Sequence, residues 1–155
     1  RDRVVLLRPP PQEQLMRSRG PDAFSAPLLG GLDIVVVDDE PDARWLLACL
    51  LRRAGARVRT ASSVREAEQL LAERRPDLLV SDVGMPGEDG RTFLARLREQ
   101  ELEQDLPRLP AVAVSAFANP REHAASRSAG FDLQLDKPEA PNALVQILAG
   151  LVRDA

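Results

Sequence analysis

The sequence predicts an α/β domain: a doubly wound, five-stranded parallel sheet of order 2-1-3-4-5, with helices on both faces. Two observations point to it. Five short apolar runs alternate with five helix-like patterns between Leu32 and Ala155, and such alternation gives a parallel sheet covered on both sides. Right-handed crossovers then leave few strand orders. In the order 2-1-3-4-5, strands 1 and 3 are neighbours and a crevice opens at their carboxyl ends.

The elements follow in order. Ile34-Val35-Val36-Val37 is a β-branched run suited to a buried strand. Pro41 opens a helix at its first turn, where a missing N–H costs nothing. That helix runs to about Ala54, and Gly55 suits its end. Arg57-Val58-Arg59-Thr60 reads as a weaker, edge-like strand. Ser63 and Glu66 have capping-box spacing ahead of a helix with Val64, Ala67, Leu70 and Leu71 on one face; Pro76 stops it. Leu78-Leu79-Val80 is the third strand, and the Gly84 to Gly90 loop leads into a helix carrying Phe93, Leu94 and Leu97. Ala111 to Val114 is the fourth strand. Asn119 and Pro120 cap and open a helix ending near Gly130. Leu133 to Leu135 is the fifth strand, and Pro141 begins a helix with Leu144, Ile147, Leu148, Leu151 and Val152.

Residues 1–31 read differently, apart from a short strand-like run at Val4 to Leu7. Pro9-Pro10-Pro11, Gly20-Pro21, Pro27 and Gly30-Gly31 favour a flexible linker or tail, leaving residues 32–155 as the folded domain. The Arg1 start and the proline-rich stretch point to a segment of a longer chain. The tail holds five arginines against Asp2, Glu13 and Asp22, a net of +2, so residues 32–155 carry −5 of the total −3. The folded part is therefore acidic, which argues against direct nucleic-acid binding. One cysteine, Cys49, excludes an internal disulfide framework and a cysteine-based zinc cluster. One histidine, His123, excludes a multi-histidine metal site. The longest apolar run, Trp45 to Leu51, is far short of the ~20 residues of a membrane span.

The chemistry lies at the strand ends. Asp38-Asp39-Glu40 follow strand 1, Asp82 follows strand 3, Ser115 follows strand 4 and Lys137 follows strand 5. Clustered carboxylates resist ionising together, and a bound cation resolves the repulsion. Oxygen-only ligands favour a hard ion, and Mg²⁺ suits a shallow site with a phosphate partner. A phosphoryl group there would meet the metal, the Lys137 ammonium and the Ser115 hydroxyl, and positioning with charge neutralisation is most of what phosphoryl transfer requires. Asp82, on the central strand between the metal and lysine sides, is the candidate nucleophile. Lys137 is the only lysine among 21 basic residues, which suggests a site that needs a compact point charge.

Val35-Val36-Val37-Asp38-Asp39-Glu40, Ser81-Asp82-Val83-Gly84-Met85-Pro86-Gly87, Ser115 and Lys137-Pro138 together resemble the signature of response-regulator receiver domains. The wording Asp82 to Gly90 most resembles receivers attached to hybrid sensor histidine kinases. The resemblance covers about residues 32–153 and implies a flavodoxin-like fold. It implies that Asp82 accepts a phosphoryl group from a histidine kinase or phosphotransfer domain. Asp38, Asp39, Asp82 and the backbone carbonyl of Gly84 would hold Mg²⁺. Ser115 and Lys137 would contact the phosphoryl group, and the Lys137–Pro138 peptide is a cis candidate, as this bond often is in the family. A downstream protein would bind the face built by the fourth helix, fifth strand and fifth helix, and the resemblance also allows a homodimer. It implies a cytoplasmic domain, tethered when its parent kinase is membrane-bound. No metabolite is turned over; self-catalysed phosphorylation and dephosphorylation are the only chemistry. The family's usual aromatic switch residue, three positions before the lysine, is Gln134 here. The switch group expected in this chain is thus Ser115, Gln134 and Phe117, with Phe117 placed to slow water attack on an acyl phosphate.

Two other readings compete. A receiver-like scaffold that works without phosphorylation is kept alive by Gln134. An aspartate-nucleophile phosphatase of the haloacid-dehalogenase type would place its aspartates one residue apart, whereas Asp38 and Asp39 are adjacent. Elsewhere ordinary roles are expected: Trp45 and Cys49 in core packing, His123 facing solvent, and the Glu99 to Asp105 acids on a solvated helix end. Arg52-Arg53 and Arg74-Arg75 are expected in last helical turns, where the dipole favours them.

Overall fold

A computed structural model describes residues 28–85, 87–116, 119–137 and 141–154. The elements are β1 (Asp33–Val37), α1 (Pro41–Arg53), β2 (Arg57–Ala61), α2 (Val64–Glu73), β3 (Leu78–Asp82), α3 (Gly90–Glu103), β4 (Ala111–Ser115), α4 (Pro120–Ala129), β5 (Leu133–Asp136) and α5 (Pro141–Asp154). The five strands pair in parallel in the order β2-β1-β3-β4-β5, as the sequence predicts. β1 is buried along its whole length, while the edge strand β2 alternates. Because strand side chains alternate in direction, Ile34 and Val36 meet α1 and α5 in one apolar cluster, and Val35 and Val37 meet α2 and α3 in the other.

Each cap explains where its helix begins. Glu40 accepts N–H bonds from Asp42 at 3.3 Å and Ala43 at 2.7 Å, with Pro41 in the first turn of α1. The Ser63 hydroxyl accepts the Glu66 N–H at 3.2 Å, but the Glu66 carboxylate turns to the Ser62 N–H and hydroxyl, one residue upstream of the usual reciprocal bond. Asp89 caps α3 through the Thr92 N–H at 2.8 Å, and Asn119 caps α4 through the Glu122 N–H at 2.9 Å. Gly90 opens α3 against the loop from β3. A Cβ there would lie 2.4 Å from the Asp82 carbonyl oxygen and 3.1 Å from the Val83 Cα, so only glycine allows this approach.

Several side chains depart from expectation. Trp45 is 66% exposed, not in the core. The buried face of α1 carries Ala48 and Leu51, backed by Leu47, Leu50 and Ala54, and at 100° per residue Trp45 falls opposite. Cys49 is half-buried. Glu101 is not on a solvated helix end: it is buried, held by Arg75 at 2.5 Å and Arg98 at 2.9 Å, and it accepts the Leu109 N–H at 2.8 Å. Arg74 and Arg75 lie beyond the last turn of α2 and act as bridges instead, Arg74 to the buried Asp33 at 2.6 Å. Arg59 joins that Asp33 at 3.1 Å, and Arg98 and Arg108 both pair with Asp132. These ion pairs line the amino end of the sheet. His123 is half-buried and its Nε2 lies 2.9 Å from Asp136 Oδ1. Leu29, within the segment read as tail, is fully buried, and its N–H donates to the Ala54 carbonyl at 2.9 Å.

Candidate functional site

The parallel register sets the site. Val37 lies opposite Ser81, so Asp38 and Asp82 emerge level with each other at the carboxyl ends of neighbouring strands. Carboxylate oxygens of Asp38, Asp39 and Asp82 all lie within 4.8 Å of one another. Asp38 is buried; its Oδ1 accepts the Glu40 N–H at 3.0 Å and its backbone carbonyl accepts a 2.7 Å bond from the Arg44 guanidinium. Glu40 spends its own carboxylate on the α1 cap, so for Glu40 the ordinary role as a helix-terminal acid holds.

Lys137 follows β5 and reaches back across the sheet edge. Its Nζ donates to Asp38 Oδ2 at 3.0 Å and lies 3.9 Å from Asp82 Oδ2. Its backbone N–H donates to the Ser115 carbonyl at 2.7 Å, tying the end of β5 to the end of β4. Asp82 Oδ1 accepts the Gly84 N–H at 3.1 Å. Burial pushes the Asp82 carboxyl above its ordinary value, and the Asp38 and Asp39 charges add to the rise. The Gly84 N–H and the Lys137 ammonium oppose it. Gly84 is exposed, with open space around its α-carbon. Ser115 is buried at the end of β4, one step beyond Val114, the register partner of Asp82. Gln134 is buried on β5, where its Oε1 accepts a bond from the Ser126 hydroxyl. Phe117 and Pro138 lie outside the described residues.

The structure thus brings Asp38, Asp39, Asp82 and Lys137 together, with Ser115 on the adjoining strand end. The all-oxygen donor set suits a hard divalent cation, and the adjacent ammonium suits an anion beside it. Sequence reasoning missed Arg44, Arg91, Ser126 and Gly90. Gly90 left a signal in the Asp89-Gly90 dipeptide just before a helix; the others left none.

The family model described as response regulator receiver domain matches residues 34–149. An uncharacterized 14.6 kDa protein from the sodA1 3' region of Leptolyngbya boryana is 42% identical over 123 residues, spanning 77% of this chain and 89% of its own length. Hybrid signal transduction histidine kinase D of Dictyostelium discoideum is 33% identical over 116 residues, 72% of this chain but only 8% of the kinase. The crystal structure of a putative response regulator from Chloroflexus aurantiacus aligns with a TM-score of 0.72 at 33% identity, covering 79% of this chain and 98% of that one. With its fold, its strand-end acids and these relatives in agreement, the chain belongs to the response regulator receiver domains of two-component signalling.

Proposed function

We propose that this receiver takes a phosphoryl group onto Asp82 from the phosphohistidine of a histidine kinase or phosphotransfer domain. The observation that carries the reading is the convergence of three carboxylates within 4.8 Å beside the Nζ of Lys137. In the step, an Asp82 carboxylate oxygen attacks phosphorus, the P–N bond breaks, and the donor imidazole keeps the electron pair and takes up a proton. Asp38, Asp39, Asp82 and the Gly84 carbonyl would hold Mg²⁺, which would supply charge neutralisation for the phosphoryl oxygens. Lys137 neutralises from the other side and gives up part of its bond to Asp38 to do so. The Gly84 N–H orients the Asp82 carboxylate through Oδ1, leaving Oδ2 for attack. Ser115 donates its hydroxyl to the attached group.

Receivers generally turn over no metabolite, and the haloacid-dehalogenase alternative has no support from the adjacent Asp38 and Asp39. We read the chain as the receiver of a longer hybrid kinase, with the residues ahead of Leu29 as the joining linker and the domain beginning at Leu29, which packs in its core. The partner surface is the α4-β5-α5 face. No helix among the described residues is long and apolar enough to cross a membrane; in this reading any tether comes from the parent kinase. Incubation with Mg²⁺ and acetyl phosphate, read by intact mass, tests the proposal. A gain of one phosphoryl group that is absent in Asp82→Asn supports it. No gain in the native chain would favour the scaffold reading.

A further inference from the structure

The four other helices bury apolar residues against the sheet, but α4 does not. Its only buried residue is Ser126, and no residue of α4 belongs to either apolar cluster. α4 is seated by polar bonds. His123 and Ser126, three apart on the helix, face Asp136 and Gln134, two apart on one side of β5. Leu135, between those two, points into the opposite cluster. From the other flank Arg91 of α3 donates to the Ser126 hydroxyl and the Glu122 carbonyl, each at 3.4 Å, and pairs with the Glu122 carboxylate.

Both flanks of this seat touch the phosphoacceptor site. Arg91 directly follows Gly90, whose N–H bonds the Val83 carbonyl at 3.2 Å and which lies so near the Asp82 peptide that no Cβ would fit between them. Asp136 directly precedes Lys137. A shift of the Asp82–Val83 backbone therefore moves the start of α3 and its arginine, and a shift of Lys137 moves the strand end that His123 grips.

We propose that α4 is the releasable element of this chain, seated by a polar latch of Arg91, Ser126 and Gln134, with His123–Asp136 as a second tie. Gln134, in the place of the family's aromatic switch residue, is the strand-side half of the latch. An element held by hydrogen bonds with little apolar area opens at low free-energy cost, and each bond contributes only a modest net stability. The trigger rests on the phosphoacceptor reading; the latch itself does not.

Hydrogen exchange by mass spectrometry, peptide by peptide, tests the latch without any phosphodonor. In Ser126→Ala the amides of residues 121–130 should exchange roughly three- to tenfold faster, the range one lost bond gives, while β1 and β3 stay unchanged. Arg91→Gln is the second variant and should loosen the same peptide. The double variant Ser126→Ala/Gln134→Leu replaces the latch with an apolar contact and should restore native or slower exchange in α4. Unchanged α4 exchange in both single variants, or equal acceleration across all strands, would overturn the latch. A second arm adds Mg²⁺ and acetyl phosphate. Phosphorylation should speed α4 exchange in the native chain and leave the double variant unmoved. Phosphoryl uptake by mass with α4 exchange unaltered would overturn the coupling. Absence of uptake would instead refute the phosphoacceptor reading, with the latch still decided by the first arm.

Discussion

Asp82→Asn should make the metal-free protein more stable. The Asp82 carboxylate sits with those of Asp38 and Asp39, all within 4.8 Å, and one cation, Lys137, lies 3.9 Å away. At an effective dielectric constant of about 20, one repulsion at that separation is about 3.5 kcal/mol. The lysine offsets roughly one of the two repulsions. The Asp82 side chain is 15% exposed, and solvent at the rim screens the remainder to roughly 1–2 kcal/mol. Loss of that repulsion should raise Tm by roughly 3–8 °C in chelator. The pH dependence ties the effect to ionisation of this carboxyl, which burial opposes first and the neighbouring charges second. The folded-state pKa of Asp82 lies above its unfolded value, so the folded protein holds this proton more tightly. That stabilisation is present at acid pH and is lost as pH rises through the raised value. The advantage of the asparagine variant should therefore be small below the ordinary carboxylate range and grow with pH above it. Saturating Mg²⁺ binds the folded wild type and should shrink or reverse the difference. Differential scanning calorimetry across pH, with EDTA or Mg²⁺, reads all three. An asparagine variant less stable than the native chain in EDTA at neutral pH would refute the electrostatic reasoning.

Gly90→Ala should cost about 1–3 kcal/mol, because the new methyl meets backbone at 2.4 Å and not a movable side chain; a urea midpoint equal to that of the native chain would contradict this. Glu101→Ala takes one carboxylate partner from Arg75 and Arg98, which keep Pro107, Gly130 and Asp132, and removes the acceptor of the Leu109 N–H; it should cost about 2–4 kcal/mol in urea denaturation. A cost under about 1 kcal/mol would mean that water or neighbours replace the carboxylate. Trp45→Ala, at a residue 66% exposed, should change stability by no more than about 0.5 kcal/mol. A loss of about 3–5 kcal/mol, the usual core value, would place this ring in the interior.

The sheet was legible because its strands are short, apolar and punctuated. Ile34 to Val37 has the composition of a buried parallel strand, and Asn119-Pro120 and Pro41 mark helix starts for reasons that act within a few residues. The site was legible for a topological reason: once strand order is known, the residues just past each carboxyl end share a rim, and Asp38, Asp82 and Lys137 needed no further information to meet. What escaped depends on contacts far apart in sequence. Glu101 reads as a solvent-facing acid until Arg75, 26 residues earlier, is brought against it. Trp45 reads as core by its size; which arc of α1 turns inward is decided by Ala48 and Leu51 meeting the sheet. The hydrogen bond between Ser126 and Gln134 joins two residues unremarkable in isolation, and only the packing of α4 on β5 makes them a pair.

The use of arginine for 20 of the 21 basic residues has a chemical consequence at Lys137. Reagents that acylate primary amines ignore guanidinium groups, so among all the side chains of this protein only this one is a target. It is 31% exposed and hydrogen-bonded to a buried carboxylate. With the α-amino group blocked first, a fluorophore or isotope tag delivered by ordinary amine chemistry would therefore report from the sheet edge where Asp38 and Asp82 meet, with no engineered attachment point.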